Sequence, residues 1–230
     1  MLKLDGCRIA NGDFALSADM EISERSTVAV IGPSGAGKST LLEAIAGFRD
    51  LERGKISWRG RDLTDLPPGK RPVAMLFQDG NLFPHMTALQ NVGLGLRPNG
   101  KLSPDEVAEV DAALARVGLP DMAARKPATL SGGQQSRVAL ARVLVQRREI
   151  LLLDEPFAAL GPALKVEMLD LVRELAAETG TTLMMVSHDP EDARRICRKA
   201  ILVAENTALA PQATVDLLND PPPALRSYLG

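Results

Sequence analysis

Residues 27–40 read TVAVIGPSGAGKST, and this stretch decides the fold of the 230-residue chain. Its last nine residues are Gly32-Pro33-Ser34-Gly35-Ala36-Gly37-Lys38-Ser39-Thr40, which fit the pattern G-x-x-x-x-G-K-[ST]. The glycines let the backbone curl so that successive N–H groups face phosphates, and the helix that follows adds its positive N-terminal end. Lys38 is expected to reach the β- and γ-phosphates of a nucleotide, and the Ser39 hydroxyl to bind Mg²⁺.

Four short apolar runs along the chain each end in polar or glycine-rich sequence. The runs are residues 27–31, 73–77, 150–153 and 182–186, and the residues that follow them are Gly32, Gln78, Asp154 with Glu155, and Ser187 with His188. Continuous apolar runs of this length are typical of strands buried on both faces, as in a parallel sheet between helices. Because open α/β sheets bind ligands beyond the carboxyl ends of their strands, these polar residues are predicted to share one site.

The remaining periodicity predicts an α/β fold with one mostly parallel sheet and two additions. Helices are expected at 38–46, 132–147 and 162–178. Strand signals vanish between Gln78 and Glu149, which indicates a mostly helical insertion. Short antiparallel strands are expected within residues 1–25, 55–60 and 200–210. We therefore predict a single domain over 1–230, with a catalytic core at 1–78 and 149–230 and a helical part at 79–148.

The polar residues at the strand ends have distinct chemical uses. Asp154 can hold Mg²⁺, commonly through water, and Glu155 can accept a proton from an attacking water. Gln78 can position the metal or the water, and His188 can donate a hydrogen bond to a γ-phosphate. A lone glutamine or histidine is more often simply solvated, but the shared placement at one sheet edge favours a site.

A second anion-binding element is predicted at Leu130-Ser131-Gly132-Gly133-Gln134-Gln135. Ser131 is a good N-cap, and the two glycines expose backbone N–H groups at a helix start. An ATPase that works as a monomer has no need of this second anion site. The plain alternative is a capped helix with no ligand.

Composition limits the partners. The formal net charge of −2 gives no global basic field, so no nucleic-acid partner is predicted. The two cysteines, Cys7 and Cys197, have no metal-ligand spacing, which fits a reducing cytosol. The first residues lack the apolar region of a signal peptide, and no run approaches the roughly 20 apolar residues that span a bilayer. A membrane role would therefore need another chain as anchor.

Together these motifs resemble the ATP-binding subunits of ABC transporters over the whole chain. The Walker A loop is 32–40, the signature 130–134, the Walker B element 150–155, the Q-loop glutamine Gln78 and the H-loop histidine His188. The resemblance implies a P-loop NTPase (RecA-like) fold with ATP and Mg²⁺ as cofactors. It implies ATP contacts from residues 32–40 and from Ser131, Gly132, Gly133 and Gln134, metal contacts from Ser39, Gln78 and Asp154, and catalytic roles for Glu155, His188 and Gln78.

The resemblance also implies partners. Two chains would form a head-to-tail homodimer, with each ATP between Lys38 of one chain and Ser131 and Gly133 of the other. Motion would pass to a transmembrane permease through the region after Gln78, at the cytoplasmic face of the bacterial inner membrane. A periplasmic solute-binding protein would take part indirectly.

A narrower resemblance concerns the transported solute. The segments PPGKRPVAMLFQ at 67–78, NLF at 81–83 and QNVGLGL at 90–96 are similar to those of bacterial thiamine-import ATPases. Importers of polyamines, iron or anions are the alternatives, because this chain would not touch the solute. Exporter motors and small-molecule P-loop kinases are less favoured, since a kinase does not need Ser131-Gly132-Gly133.

Two positions depart from the family pattern. Gly161 stands where the family usually has Asp, and no aromatic residue occupies positions 9–11, where the family places a ring on adenine. Phe14 is the nearest ring. We expect low basal turnover and weakened communication between the two sites, and an ATP-gated clamp with little turnover is the corresponding alternative.

Overall fold

Eleven strands and eight helices make up the described residues, 1–12 and 14–229, of this computed structural model. The strands are β1 (Leu2–Asn11), β2 (Phe14–Ile22), β3 (Thr27–Ile31), β4 (Arg53–Trp58), β5 (Arg61–Asp62), β6 (Val73–Leu76), β7 (Ile150–Asp154), β8 (Thr182–Val186), β9 (Lys199–Ala204), β10 (Thr207–Ala208) and β11 (Gln212–Ala213). The helices are α1 (Lys38–Ala46), α2 (Ala88–Gly93), α3 (Pro104–Arg116), α4 (Gly132–Leu144), α5 (Pro162–Thr179), α6 (Pro190–Ile196), α7 (Thr214–Asn219) and α8 (Pro223–Leu229).

The core of the sheet is parallel, with strand order β9-β3-β8-β7-β6. All four predicted apolar runs form its strands, although β6 ends one residue earlier than expected and β7 continues to Asp154. The register aligns Val30 and Asp154 with Val186 of β8, which lies between β3 and β7. The carboxyl ends of these strands therefore reach one level, as the site prediction requires.

Both faces of the parallel core are covered, which explains why its strands read as continuous apolar runs. Leu151 and Leu153 of β7 lie in one buried cluster, with side chains from α2 to α8. Ile150 and Leu152 point to the opposite face and lie in a second cluster, with α1 and the antiparallel strands. Successive side chains of β7 thus pack alternately into two separate hydrophobic clusters on the two faces of the sheet.

The antiparallel addition is β1 paired with β2 and β4. The strand predictions within 1–25 and 55–60 are confirmed, although β1 and β2 are long, at ten and nine residues. The antiparallel prediction for 200–210 holds for the pairing of β9 with β10, but β9 also lies beside β3 and runs parallel to it. Helix α6 carries the chain back across the sheet before β9, and such a crossover yields a parallel strand. The short strands β10 and β11 are both antiparallel to β9.

The segment 79–148 is helical, as predicted, with α2, α3 and α4 packed on one another through Val92, Val110, Leu114 and Val138. Helix α4 ends at Leu144 rather than at 147, because Arg147 has a φ of 48° that a right-handed helix does not accept. Helix α5 ends at Thr179, one residue later than predicted. Within the described ranges, no helix is long and apolar enough to cross a membrane.

Candidate nucleotide-binding site

The glycine-rich loop connects β3 to α1, as the motif predicts. Gly32 has a φ of 146°, and a Cβ at this position would lie 2.0 Å from the backbone oxygen of Val203 on the neighbouring strand β9. Gly37 has a φ of 101°, and its Cβ would lie 2.8 Å from Cζ of Phe14. Because real Cβ contacts are not this short, both ends of the loop require glycine.

The Lys38 side chain folds back onto the loop. Its Nζ donates hydrogen bonds to the carbonyl oxygens of Gly32 at 2.8 Å and Pro33 at 2.9 Å, and the residue is 5% exposed. Burial lowers the pKa of Lys38, while the nearby charges of Glu155 and Asp154 act in the opposite direction. The ammonium is thus held inside the loop by weak neutral acceptors, which an anionic phosphate oxygen can replace.

Asp154 ends β7 and is the strongest indication of a cation site. The residue is 5% exposed, the Ser39 side chain lies close enough to its carboxylate to lower the pKa of Asp154, and its Oδ1 is buried with no hydrogen-bond partner among the described residues. Burial raises the pKa of Asp154, and the charges of Glu155 and Glu43 raise it further. Buried polar atoms without partners are rare, and a carboxylate beside a serine hydroxyl is a donor set that suits Mg²⁺.

Glu155 and His188 lie against each other at the same sheet edge. Nε2 of His188 is in direct contact with Oε1 of Glu155, whose side chain is 12% exposed. The backbone of Glu155 has a φ of 48°, and its N–H donates to the oxygen of Val186 at 3.2 Å. Left-handed backbone at a non-glycine residue costs about 1–3 kcal/mol and clusters at functional sites. Glu155, which was predicted from the sequence to accept a proton, is thus the residue with the strained backbone.

Gln78 is exposed in the turn that follows β6. The N–H of Gly80 donates to the oxygen of Phe77 at 2.9 Å, which closes the turn around Gln78. Arg142 of α4 donates to the oxygens of Gly80 at 2.6 Å and Asn81 at 2.7 Å. This role of Arg142 was not predicted from the sequence. A signal was present, because Arg142 is the one charge within the apolar stretch 138–145 of the helix predicted at 132–147.

The predicted second anion site is a capped helix start. The hydroxyl oxygen of Ser131 accepts from the N–H of Gln134 at 3.3 Å, and Oε1 of Gln134 accepts from the N–H of Ser131 at 2.9 Å. Ser131 and Gly132 are exposed, and a Cβ on Gly132 would meet nothing within 4 Å. Among the described residues, no hydrogen bond links 131–134 to the loop at 32–40, so the chain does not join its two anion sites directly.

Three positions were considered for the ring that stacks on adenine, namely residues 9, 11 and 14. Ile9 is fully buried and has no exposed face for a base. The side chain of residue 11 lies outside the described part of the chain. The ring of Phe14 is half-buried against Gly37, beside the phosphate loop, so it remains the candidate ring near a bound nucleotide.

Known proteins are similar to this chain in sequence and structure. The family model described as ABC transporter matches residues 16–158. Over all of both chains, the sequence is 66% identical to the thiamine import ATP-binding protein ThiQ of Ruegeria sp. (strain TM1040) and 60% identical to the protein of that name from Cereibacter sphaeroides. A dimeric bacterial ABC transporter cassette, MJ0796, superposes with a TM-score of 0.84 at 30% identity, covering 93% of this chain and 99% of that one. Its dimeric post-hydrolysis state bound to ADP and Pi gives a TM-score of 0.83 at 29% identity, with the same coverage.

Proposed function

This chain belongs to the ABC transporter family of ATP-binding proteins, and on that premise we propose that it is the ATP-hydrolysing subunit of a bacterial thiamine importer. The family resemblance and the α/β P-loop fold predicted from the sequence are confirmed. The protein is an ABC-type ATPase. The roles of individual residues, the metal, the partners and the solute are proposals, argued below.

The unpartnered Oδ1 of Asp154 carries the proposal for Mg·ATP. Ser39 and Asp154 would hold Mg²⁺, with Gln78 from the neighbouring strand end, while the backbone N–H groups of 32–40 and Lys38 receive the phosphates. When bound, Mg²⁺ supplies positive charge to the phosphate oxygens. The orphaned oxygen, the serine hydroxyl and the buried ammonium lie near one another and supply the groups that such a site needs.

Glu155 is proposed as the general base. Its carboxylate takes a proton from a water whose oxygen bonds to the γ-phosphorus, while the bond from that phosphorus to the bridging oxygen breaks and ADP leaves. His188 holds the carboxylate in place through the contact with Oε1 and donates toward the γ-phosphate. Gln78 orients the water, and Lys38 stabilises charge on the phosphate oxygens.

A homodimer completes the site. Ser131 and Gly132 are exposed and are not joined to the chain's own phosphate loop, whereas the similar cassette MJ0796 is dimeric. Head-to-tail association would place Ser131, Gly132, Gly133 and Gln134 of one chain over the ATP of the other. We also propose the division into a core at 1–78 and 149–230 and a helical part at 79–148, since strands occur only in the former among the described residues.

The solute and the location are inferred from relatives. Two proteins that are 66% and 60% identical over their full length carry the name thiamine import ATP-binding protein. We therefore place this chain at the cytoplasmic face of the inner membrane, bound to a permease that receives solute from a periplasmic binding protein. A polyamine, iron or anion importer is the alternative. A clamp with little turnover is less favoured, because Glu155 and His188 are both in place.

Transport in vesicles tests this proposal. The chain is co-purified with its membrane partners, reconstituted with ATP on its own side, and supplied with labelled thiamine and the partner binding protein. We expect uptake that requires ATP and Mg²⁺ and is lost in Lys38→Ala, with excess polyamine leaving it unchanged. ATP-dependent uptake of another solute but not thiamine would exclude the thiamine assignment alone. Absence of any ATP hydrolysis would exclude the whole proposal.

A further inference from the structure

A closed ring of hydrogen bonds surrounds the backbone of His188. The Ser187 hydroxyl donates to Oδ2 of Asp192 at 2.5 Å, and the N–H of Asp189 donates to the Ser187 oxygen at 3.1 Å. Nζ of Lys165 completes the ring, since it lies 2.8 Å from Oδ2 of Asp189 and 2.8 Å from Oδ1 of Asp192. Ser187 and Asp189 flank His188 in sequence and Asp192 lies four residues after it, whereas Lys165 comes from helix α5.

Lys165 is unusual for its place in α5. It is the fourth residue of the helix, which begins at Pro162, and a cation near a helix N-terminus opposes the helix dipole by about 0.3–1 kcal/mol. The two carboxylates offset this, and Lys165 holds the pKa of Asp189 below its ordinary value. The side chain of Lys165 is only 22% exposed, and that of Asp192 is 11% exposed. The pair is therefore less screened by solvent than an ordinary surface ion pair.

The first turn of α5 has few other anchors. Its N-cap is Gly161, which makes no side-chain cap, and the N–H of Lys165 donates to the oxygen of Gly161 at 2.9 Å. Lys165 is thus bonded through its backbone to the loop that ends at Gly161 and through its side chain to Asp189 and Asp192, of which Asp192 accepts in turn from Ser187, the residue before His188. One residue connects that loop to the histidine that contacts Glu155.

We propose that Lys165 is a positioning residue that sets the place of His188 against Glu155, and so supports proton transfer to that carboxylate without touching ATP. Without the ammonium, Asp189 and the largely buried Asp192 lose their shared counter-charge. The turn that carries His188 would then shift. This inference rests on the proposed role of Glu155 and His188 in hydrolysis.

A second ion pair between the same two helices offers a matched control. Arg195 of α6 contacts Asp170 of α5 at 3.1 and 2.5 Å, and neither residue is among those proposed to act in the site. Arg195→Met removes a cation from the same α5–α6 contact but leaves the ring around His188 complete. Lys165→Arg keeps the charge, and Lys165→Met removes it.

The test combines kinetics with a direct view of His188. The chain has only two histidines, His85 and His188. In the NMR spectrum of histidine-labelled protein, the imidazole signals that remain in the variant His85→Asn therefore belong to His188. We expect Lys165→Met to shift the His188 signals and lower kcat for ATP hydrolysis roughly tenfold or more, with KM for ATP within about twofold. Lys165→Arg should keep the His188 signals and kcat close to those of the wild type. Arg195→Met should change neither the His188 signals nor kcat.

Unchanged His188 signals in Lys165→Met, an unchanged kcat, or equal effects in Arg195→Met would overturn the inference. Should Lys165→Met not yield folded protein, Lys165→Gln is read in the same way, since it lacks the charge but keeps a donor. The NMR signals of the His188 imidazole report the position of this side chain even if the wild-type chain hydrolyses no ATP. A failure of the proposed function is therefore distinct from a failure of the Lys165 inference.

Discussion

Asp154 is a residue whose burial costs free energy of folding, and it lies where we propose that Mg²⁺ binds. Its carboxylate is buried with one oxygen unpartnered, and burial raises its pKa. Desolvation disfavours the charged form, so an ionised Asp154 opposes folding in the absence of a cation. A stability cost at this residue is what a binding function predicts.

Asp154→Asn should therefore melt at a higher temperature than the wild type at pH 7 without metal or nucleotide. Because the folded-state pKa is raised, the folded chain binds more protons, and the carboxyl's favourable contribution is lost as pH rises through that pKa. The difference in melting temperature between Asp154→Asn and the wild type should narrow as the pH falls toward 3.8, the ordinary pKa of an aspartate carboxyl. Thermal melts from pH 4 to 8 measure it. A variant that melts below the wild type at pH 7 would contradict this account.

The residues of the phosphate loop and the strand ends could be predicted from sequence because each follows a local pattern. Lys38 and Ser39 follow from motif spacing, and Asp154 and Glu155 follow from the apolar run before them. The positive φ of Glu155 and the bonds from Arg142 to Gly80 and Asn81 could not, since both depend on how distant segments meet. Spacing identifies which residues matter, and tertiary packing decides how they are held.

At the scale of elements, two-faced burial made the parallel strands easy to predict. The prediction for residues 200–210 was incomplete, because β9 is antiparallel to β10 but parallel to β3. Its sequence is short and apolar in either arrangement, so only the direction of the crossover through α6 distinguishes them. The end of α4 was also misplaced, because the apolar period continues to Val145, one residue after the helix ends at Leu144.

Helix α5 gives a prediction for the departure at its start. Gly161 has φ −66° and ψ 156°, an N-cap conformation, and a Cβ there would meet nothing within 4 Å. Gly161→Asp should fit and cap the helix, raising the free energy of unfolding by about 0.3 kcal/mol. We also expect it to raise the ATPase rate and the cooperativity between the two ATP sites. Denaturant melts and ATP titrations of turnover measure these effects.

Gly161→Ala is the matched control, because it adds a Cβ without a hydrogen-bond acceptor and alanine is a poor N-cap. It should lower stability slightly and leave cooperativity at the wild-type level. If Gly161→Asp has the rate and cooperativity of the wild type, the glycine does not weaken communication between the sites.

At the scale of the whole molecule, one chain presents two separate elements that we propose bind phosphate. The phosphate loop with Lys38 lies at the carboxyl edge of the parallel sheet, and Ser131 starts a helix of the segment 79–148. Among the described residues, no hydrogen bond joins them within the chain. The central claim is therefore that a second copy closes each site, and that Glu155 then removes the proton that permits hydrolysis.

The most direct test is the mass of Glu155→Gln in solution with saturating Mg·ATP, measured by light scattering beside phosphate release. The amide keeps the shape of the carboxylate but cannot act as the base, so ATP should persist and hold two chains together. We predict a particle of twice the chain mass of 24.6 kDa that reverts when ATP is removed and releases almost no phosphate. A variant that stays monomeric with ATP bound, or that hydrolyses ATP at the wild-type rate, would contradict the account.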